Sequence, residues 1–217
     1  MDTSQQTSEP GRRTALKAGA GLIAGVLAAR LASAQSAPTQ AAPANTESPN
    51  PKAPMPTDTP PAPPPPGKPG DFDFLAGEWR IKHRRLKTPR GNDWEDFEGE
   101  ATCWNILGGV GSVEELRIPA RNFAGMGLRL LDVQKQLWSD FWVNAKSGVL
   151  TTPGQTGHFS DGVGTFTADD TDNEGKPIKV KGVWDNITGK SCRWWQAASW
   201  DGGATWEKNW VMEWTKV

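Results

Sequence analysis

SCRWWQAASWDGGATWEKNWVMEWTK, at residues 191–216, contains two aromatic-rich runs on either side of one glycine-rich turn. In the second run alternate residues face the same side of an extended strand. One side then carries Trp206, Lys208, Trp210, Met212 and Trp214. Between the runs, Asp201-Gly202-Gly203 supplies residues that tolerate a positive φ, as a tight turn requires. The stretch therefore predicts two adjacent antiparallel strands.

The same pattern extends back to Trp79, with short β-branched and aromatic runs between Gly, Asp and Asn turns. No stretch beyond Gly77 keeps a 3.6-residue apolar period, so we expect no long helix. Because closing a sheet removes its exposed edges, the pattern predicts an all-β domain, a single antiparallel up-and-down β-barrel of about ten strands. A two-sheet sandwich is the alternative. The predicted strands are Trp79–Lys87, Trp94–Leu107, Ser112–Pro119, Gly125–Asp132, Leu137–Asn144, Gly148–Thr152, His158–Ala168, Pro177–Asp185, Ser191–Trp200 and Trp206–Lys216.

The N-terminal residues have the pattern of an export signal. Residues 1–34 contain a basic region, an apolar run and a small-residue cleavage site at residues 32–34, in the order typical of secretory signals. The pair Arg12-Arg13 resembles a bacterial twin-arginine signal. The apolar run is shorter than the roughly 20 residues that span a bilayer. We therefore expect a periplasmic or secreted protein with no stable membrane anchor after signal cleavage.

Residues 35–70 form a proline-rich segment. Of the 18 prolines in the chain, 13 lie between Pro38 and Pro69, and large apolar side chains are almost absent there. Such a segment buries too little surface to offset the entropy of ordering it, so the composition predicts disorder. All 12 tryptophans lie at or after Trp79. Residues 71–217 are therefore predicted to form the single folded domain.

Composition and spacing exclude several classes of function. With 24 basic and 25 acidic residues, the net charge of −1 does not predict nucleic-acid binding. The two histidines and two cysteines have no metal-ligand spacing, and residues 170–175 begin like a calcium loop but lack the acid at its twelfth position. No nucleophile motif occurs. We expect no metal, no other cofactor and no assigned catalytic residue, while the pairing of Cys103 with Cys192 stays open.

Several segments resemble a known family. Phe72-Asp73-Phe74-Leu75-Ala76-Gly77-Glu78-Trp79 is similar to the start of calycin barrels, and nearly all of residues 71–217 is similar to a bacterial lipocalin-like domain family of unknown function. The matching segments include residues 128–132, 136–138, 161–166, 193–197 and 201–210. The resemblance implies a barrel of this size and structural roles for Gly77, Trp79 and Lys216, with the lysine lying over the Trp79 ring. It implies no activity.

The tryptophans on predicted strands suggest an aromatic cavity. Polar side chains within such strands are candidates to orient a ligand, namely Arg129, Arg193, Gln196 and Asn209. We predict that a small apolar or aromatic molecule binds at Arg129, Trp142, Trp194, Gln196 and Trp210. The alternatives are an enzyme using Asp140 or Glu213 with Arg129, and an interaction module whose lumen is filled by tryptophan.

The export signal can be tested by exchanging both arginines. Arg12→Lys with Arg13→Lys should block export, because the twin-arginine pathway recognises the guanidinium pair. Fractionation followed by immunoblotting measures the periplasmic share, and N-terminal sequencing of the wild-type mature protein should begin at Gln35. Normal periplasmic recovery of the double variant would contradict the assigned route.

Overall fold

The computed structural model describes residues 65–217, so the predicted signal and most of the proline-rich segment lie outside the described residues. Short 3-10 helices occur at Asp73–Leu75, Leu107–Gly109 and Pro119–Arg121. The ten strands are β1 (Gly77–Leu86), β2 (Trp94–Ile106), β3 (Gly111–Ile118), β4 (Phe123–Asp132), β5 (Leu137–Asn144), β6 (Gln155–Ser160), β7 (Val163–Thr171), β8 (Pro177–Asp185), β9 (Ser191–Ser199) and β10 (Glu207–Lys216).

The strands form one closed antiparallel barrel. Each strand pairs with its neighbours in sequence, and β1 pairs with β10 to complete the wall. This confirms the predicted all-β up-and-down barrel, is consistent with a calycin-like fold, and excludes the two-sheet sandwich. Among residues 65–217, no helix has the length and apolarity needed to cross a membrane.

Two of the predicted strands are wrong. Residues 148–152 form no strand, and Leu150 makes an isolated bridge with Val143 instead. The strand predicted at residues 158–168 is the hairpin of β6 and β7, which turns at Asp161-Gly162. These two residues have φ of +50° and +77°. An Asp-Gly pair favours the two-residue hairpin turn with positive φ at both positions, so the local signal for this turn was present in the sequence.

The face predicted for the last strand is also partly wrong. The pairing of β10 with β9 shifts between Lys208 and Trp210, which marks a β-bulge at Asn209. Trp210 is buried, whereas Lys208 lies on the outer face with its Nζ 4.1 Å from the ring centroid of Trp195. Trp206 also lies on the outer face, beneath a lysine. The extra residue of a bulge reverses the alternation, so residues on its two sides do not share a face.

Aromatic side chains fill the end of the barrel at which β1 begins and β10 ends, here called the closed end. Trp79 and Trp138 are fully buried there, and the segment before β1 is packed against both. Trp79 Nε1 donates to the carbonyl of Leu75 at 2.7 Å, and Trp138 Nε1 donates to Asp71 Oδ2 at 3.0 Å. The contacts begin earlier in the chain, since the backbone N–H of Gly67 donates to a carbonyl of the β4–β5 turn. Residues 67–76 therefore cover the closed end.

The three residues assigned structural roles meet at this end. Trp79 and Lys216 are opposite each other in the β1–β10 register, and Lys216 Nζ lies 5.4 Å from the Trp79 ring centroid. Gly77 has φ of +124°, and a Cβ there would lie 2.8 Å from Lys216 Cε. The expected contact between Lys216 and Trp79 is therefore present, and Gly77 leaves the space through which the lysine side chain passes.

The closed end predicts unequal costs for its two partners. Trp79→Ala should lower the free energy of unfolding by about 3–5 kcal/mol, because it opens a cavity in a filled core. Lys216→Met should cost about 0.5–1 kcal/mol, because it removes only the cation from above the ring. Urea denaturation of residues 65–217 measures both. Equal losses for the two variants would contradict the assignment of Trp79 to the core.

Candidate functional site

The lumen beyond the closed end contains a cavity of about 810 Å³. It extends from the buried rings of Trp184 and Trp214 to the connections that join β1 to β2, β5 to β6 and β7 to β8. These connections lie at the end of the barrel opposite the closed end, because an up-and-down barrel places alternate connections at the same end. The volume falls in the range of about 300–1,000 Å³ typical of small-molecule sites.

All five residues predicted to bind a ligand line this cavity. They come from β4, β5, β9 and β10, and they are Arg129, Trp142, Trp194, Gln196 and Trp210. Asn209, a further polar candidate, lines it as well. The three residues with structural roles lie instead at the closed end. The structure therefore brings the predicted ligand residues together, while their binding of a ligand stays a prediction.

Two other candidates lie outside the cavity. Arg193 donates from Nε and Nη2 to the two carboxylate oxygens of Asp185, at 2.7 and 2.8 Å, on the outer face. Glu213 is exposed and opposite Arg193 in the register of β9 and β10. Both are one position out of step with residues that line the lumen, Trp194 and Trp214, and neighbours in a strand face opposite sides. The sequence left the side of the strand open for these candidates, and the structure places Arg193 and Glu213 outside the lumen.

Three charged side chains on neighbouring strands form an ion cluster in the cavity wall, consisting of Glu114, Arg129 and Asp140. Arg129 Nη2 donates to Glu114 Oε2 at 2.5 Å, and Arg129 Nε approaches Asp140 Oδ1 at 3.5 Å. A Cβ at Gly127 would lie 3.0 Å from Arg129 Nη2, so this glycine leaves room for the guanidinium. Glu114 was not identified from the sequence, because nothing local indicates that it faces Arg129.

The cluster differs from a simple ion pair in its charge. Burial raises the pKa of Asp140 to about 6, with the Arg129 guanidinium acting against this shift and the Glu114 carboxylate adding to it. Burial also acts to lower the pKa of Arg129, but the carboxylates of Asp140 and Glu114 hold it above its usual range. Arg129 therefore stays protonated. Above pH 6 the cluster contains one positive and two negative groups.

Several buried donors near the cluster have no partner. Within residues 65–217 these include Nε and Nη1 of Arg129 and the indole nitrogens of Trp184 and Trp214. The Arg129 guanidinium carbon also lies 5.2 Å from the Trp184 ring centroid. A buried donor without a partner costs about 1–3 kcal/mol. The floor of the cavity is therefore less stable than a fully apolar or fully hydrogen-bonded core.

His83 supports Trp210, a residue of the cavity wall, through a hydrogen bond. It is 1% exposed, and its Nδ1 accepts a hydrogen bond from Trp210 Nε1 at 3.2 Å. Its ring stacks on Phe97 with 4.6 Å between centroids. Burial lowers the pKa of His83 to about 4, and the positive charges of Arg121 and Arg85 lower it further. The imidazole is therefore neutral and accepts through Nδ1, which holds the Trp210 ring in place.

Neither cysteine is suited to nucleophilic chemistry. Cys103 and Cys192 are buried and free. Burial, followed by the nearby Glu114 carboxylate, raises the pKa of Cys103 well above its usual range and that of Cys192 to about 12. Both are therefore thiols at neutral pH, and the thiolate is the reactive form. Within residues 65–217, no group of three or more His, Cys, Asp or Glu side chains is placed to hold a metal ion.

Comparison with known proteins adds no relative. No protein-family profile matches the chain, and no curated protein matches it either. The barrel and its cavity are therefore the basis on which a function is proposed.

The buried imidazole predicts acid sensitivity. His83 has a pKa near 6.5 when unfolded and about 4 when folded, so between these values the unfolded chain binds the extra proton. Its contribution to stability is full above pH 6.5 and falls as the pH drops towards 4, by about 3 kcal/mol in total. His83→Gln should flatten this dependence, as measured by urea denaturation at pH 7 and pH 4.5.

The exposed Gln134 of the β4–β5 turn provides the control, because Gln134→Ala removes no titratable group. Gln134→Ala should keep the wild-type pH dependence, and the Asp140 contribution of opposite sign is common to all three proteins. An unchanged difference between the two pH values in His83→Gln would show that His83 is not the group responsible.

Proposed function

We propose that this protein is an exported binder of a small organic molecule, apolar or aromatic in character, which occupies the barrel cavity. The observation that carries the proposal is the 810 Å³ cavity whose wall includes Trp142, Trp194 and Trp210. Tryptophan offers a large apolar face together with one polar N–H, a combination suited to ring-containing ligands. The succession of a basic region, an apolar run and a small-residue cleavage site in residues 1–34 supports export.

The aromatic side chains of the cavity wall are held in place by contacts with one another and with neighbouring residues, which supports a preformed site. Trp142 stacks on Phe123 with 6.4 Å between centroids and 13° between planes. The rings of Trp194 and Trp210 pack edge to face with 6.0 Å between their centroids, and the Trp210 Nε1–H donates to His83 Nδ1. A wall that is already ordered loses little entropy when a ligand binds.

Polar groups on the wall can orient the ligand. Gln196 Nε2 donates to Asn209 Oδ1 at 3.2 Å, which positions the Gln196 amide with its oxygen as a further acceptor. On another part of the wall, the ion cluster supplies charged groups. A wall that combines aromatic rings with polar groups able to fix the orientation of a ligand suits a small-molecule site.

The alternative functions have less support. An interaction module was expected to have a lumen filled with tryptophan, and a cavity of this size argues against that. An enzyme would use Asp140 with Arg129, but Glu213 lies outside the cavity and both cysteines are held as thiols. Membership of the lipocalin-like family is part of the proposal, supported by the ten-strand topology and by the meeting of Gly77, Trp79 and Lys216.

A fluorescence screen tests the binder directly. The chain has no tyrosine, so tryptophan supplies nearly all the intrinsic emission, and ligands that enter the cavity should quench it. The screen uses residues 35–217 with fatty acids, quinones, and aromatic amines, alcohols and acids. Gln196→Ala should weaken binding of the best ligand by about 0.5–1.5 kcal/mol, the net worth of one neutral hydrogen bond.

Gln134→Ala is the matched control, because Gln134 is exposed in the β4–β5 turn far from the cavity. It should leave affinity unchanged. Absence of any ligand with a dissociation constant below about 1 mM, roughly −4 kcal/mol, would overturn the proposed function. An equal effect of the two glutamine variants would remove Gln196 from the site.

A further inference from the structure

Resting on the proposed function, we infer that the ligand carries a positively charged nitrogen, an ammonium or amidinium group, on its apolar body, and that this group binds the Asp140 carboxylate. Nothing in the size of the cavity requires a charge on the ligand. The inference comes from the member of the ion cluster that a ligand can reach.

Asp140 is the accessible member of the cluster. Its side chain is 19% exposed, whereas the side chains of Arg129 and Glu114 are each 4% exposed. Because Asp140 lines the cavity, a ligand within it meets a carboxylate first. The nearest cation to that carboxylate is Arg129, at 3.5 Å from Nε, which is longer than a hydrogen bond. The Asp140 oxygens therefore retain capacity to accept from a ligand donor.

Arg129 is poorly placed to receive an anion. Its Nε and Nη1 have no partner, yet both atoms are buried and present almost no surface to the cavity. Its Nη2 is already bonded to Glu114. A ligand anion would also add a third negative charge beside two carboxylates, which raises the energy of all three in a poorly solvated site. The accessible Asp140 carboxylate and the buried Arg129 guanidinium therefore both favour a cationic ligand over an anionic one.

The charges around Asp140 balance only when one more cation is present. Arg129 of β4 and Glu114 of β3 are the charged groups that act on it, and β6 faces it with the neutral Gln155. With Asp140 ionised, these groups sum to one negative charge. Two acids and two bases lie at the rim, namely Asp169, Asp170, Arg85 and Lys87, and they cancel. A ligand cation would therefore make the cavity neutral.

Tryptophan faces extend the site for a cation. Trp142 lies two positions from Asp140 on β5, so the two side chains project to the same side about 7 Å apart along the strand. Trp194 lines the same cavity from β9, while the Trp210 ring of β10 already has the Arg85 guanidinium carbon 4.7 Å from its centroid. A desolvated cation over a tryptophan face gains more than one in water. One carboxylate with several indole rings suits an amine attached to an aromatic or alkyl body.

The titration of Asp140 predicts the direction in which the ligand affinity changes with pH. Because burial raises the pKa of Asp140 to about 6, the carboxylate is ionised above that pH and protonated below it. An amine remains protonated throughout this range, so its affinity should fall as the pH drops below 6. From pH 7.5 to pH 5 the ionised fraction falls about tenfold, and the amine affinity should fall by about the same factor. A carboxylate ligand would bind more tightly over the same change.

Ligands that share an apolar body and differ only in charge separate the two contributions to affinity. Titration calorimetry compares an amine, an alcohol and a carboxylic acid on each of three bodies, phenylpropyl, naphthylethyl and decyl, with residues 35–217 at pH 7.5 and pH 5. We expect the amine to bind at least tenfold more tightly than the alcohol on the best body at pH 7.5, and to lose about tenfold at pH 5. The affinity of the alcohol should change little.

Asp140→Asn, which keeps the shape of the side chain, should remove the preference for the amine and its pH dependence while the alcohol still binds. Asp161→Asn is the matched control, since Asp161 lies in the exposed β6–β7 turn and asparagine also suits a positive φ. It should behave as the wild type. If Asp140→Asn does not fold, as judged by circular dichroism, the wild-type pH profile alone decides.

The outcomes distinguish the two proposals. Alcohols or acids that bind as tightly as the amines, or an amine preference that survives Asp140→Asn, would overturn the cationic ligand and leave the binding function intact. An amine whose affinity does not fall between pH 7.5 and pH 5 would overturn it in the same way. Absence of binding by every body and every charge below about 1 mM would overturn the proposed function together with this inference.

Discussion

The pairing of β1 with β10 is the interaction on which the rest of the structure depends. Seven residue pairs from Trp79–Lys216 to Arg85–Trp210 join the first and last strands and turn an open sheet into a closed wall. Closure removes the two edges that would otherwise expose unpaired backbone groups. It also brings Trp210 of β10 against His83 of β1, so the wall of the cavity and its support exist only in the closed barrel.

Closure by ten strands creates a lumen that side chains must fill or leave open. At the closed end large rings fill it, since Trp79, Trp138 and Phe72 are almost fully buried and pack with their neighbours. Farther along, glycines at two inward positions leave space, since a Cβ at Gly127 on β4 or Gly182 on β8 would crowd Arg129 or Trp194. Interiors pack at close to crystal density where side chains suffice. Beyond the closed end the large rings line the lumen without filling it, and the cavity begins there.

The ion cluster is a costly feature to retain in such a barrel. Burying charges incurs a desolvation penalty that an ion pair often only just offsets, and Arg129 leaves two of its nitrogens without partners. An apolar set of residues would stabilise the barrel more. A cluster of this kind gains significance from its place in the wall of a cavity, because titratable groups with perturbed pKa values are concentrated at functional sites.

The sequence by itself determined the kind of elements and the place of eight strands, because alternation and turn chemistry are local; the total of ten agrees because one predicted strand is absent and another is two strands. Six strands, among them Leu137–Asn144 and Pro177–Asp185, differ from the prediction by at most one residue at either end, and the positive φ at Gly202 and Gly203 follows from the predicted turn. The Asp161-Gly162 turn carries an equally local signal, although the predicted strand at residues 158–168 runs through it.

Only the tertiary structure decided which side of each strand faces the lumen and which distant residues meet there. The bulge at Asn209 exchanges the two faces of β10, so alternation alone places Lys208 on the wrong side. Glu114, Arg129 and Asp140 meet because of the registers of β3, β4 and β5. A shift of one residue in either register would turn one of these charged side chains to the outer face. Register depends on the cooperative pairing of whole strands, so no single segment of the sequence determines it.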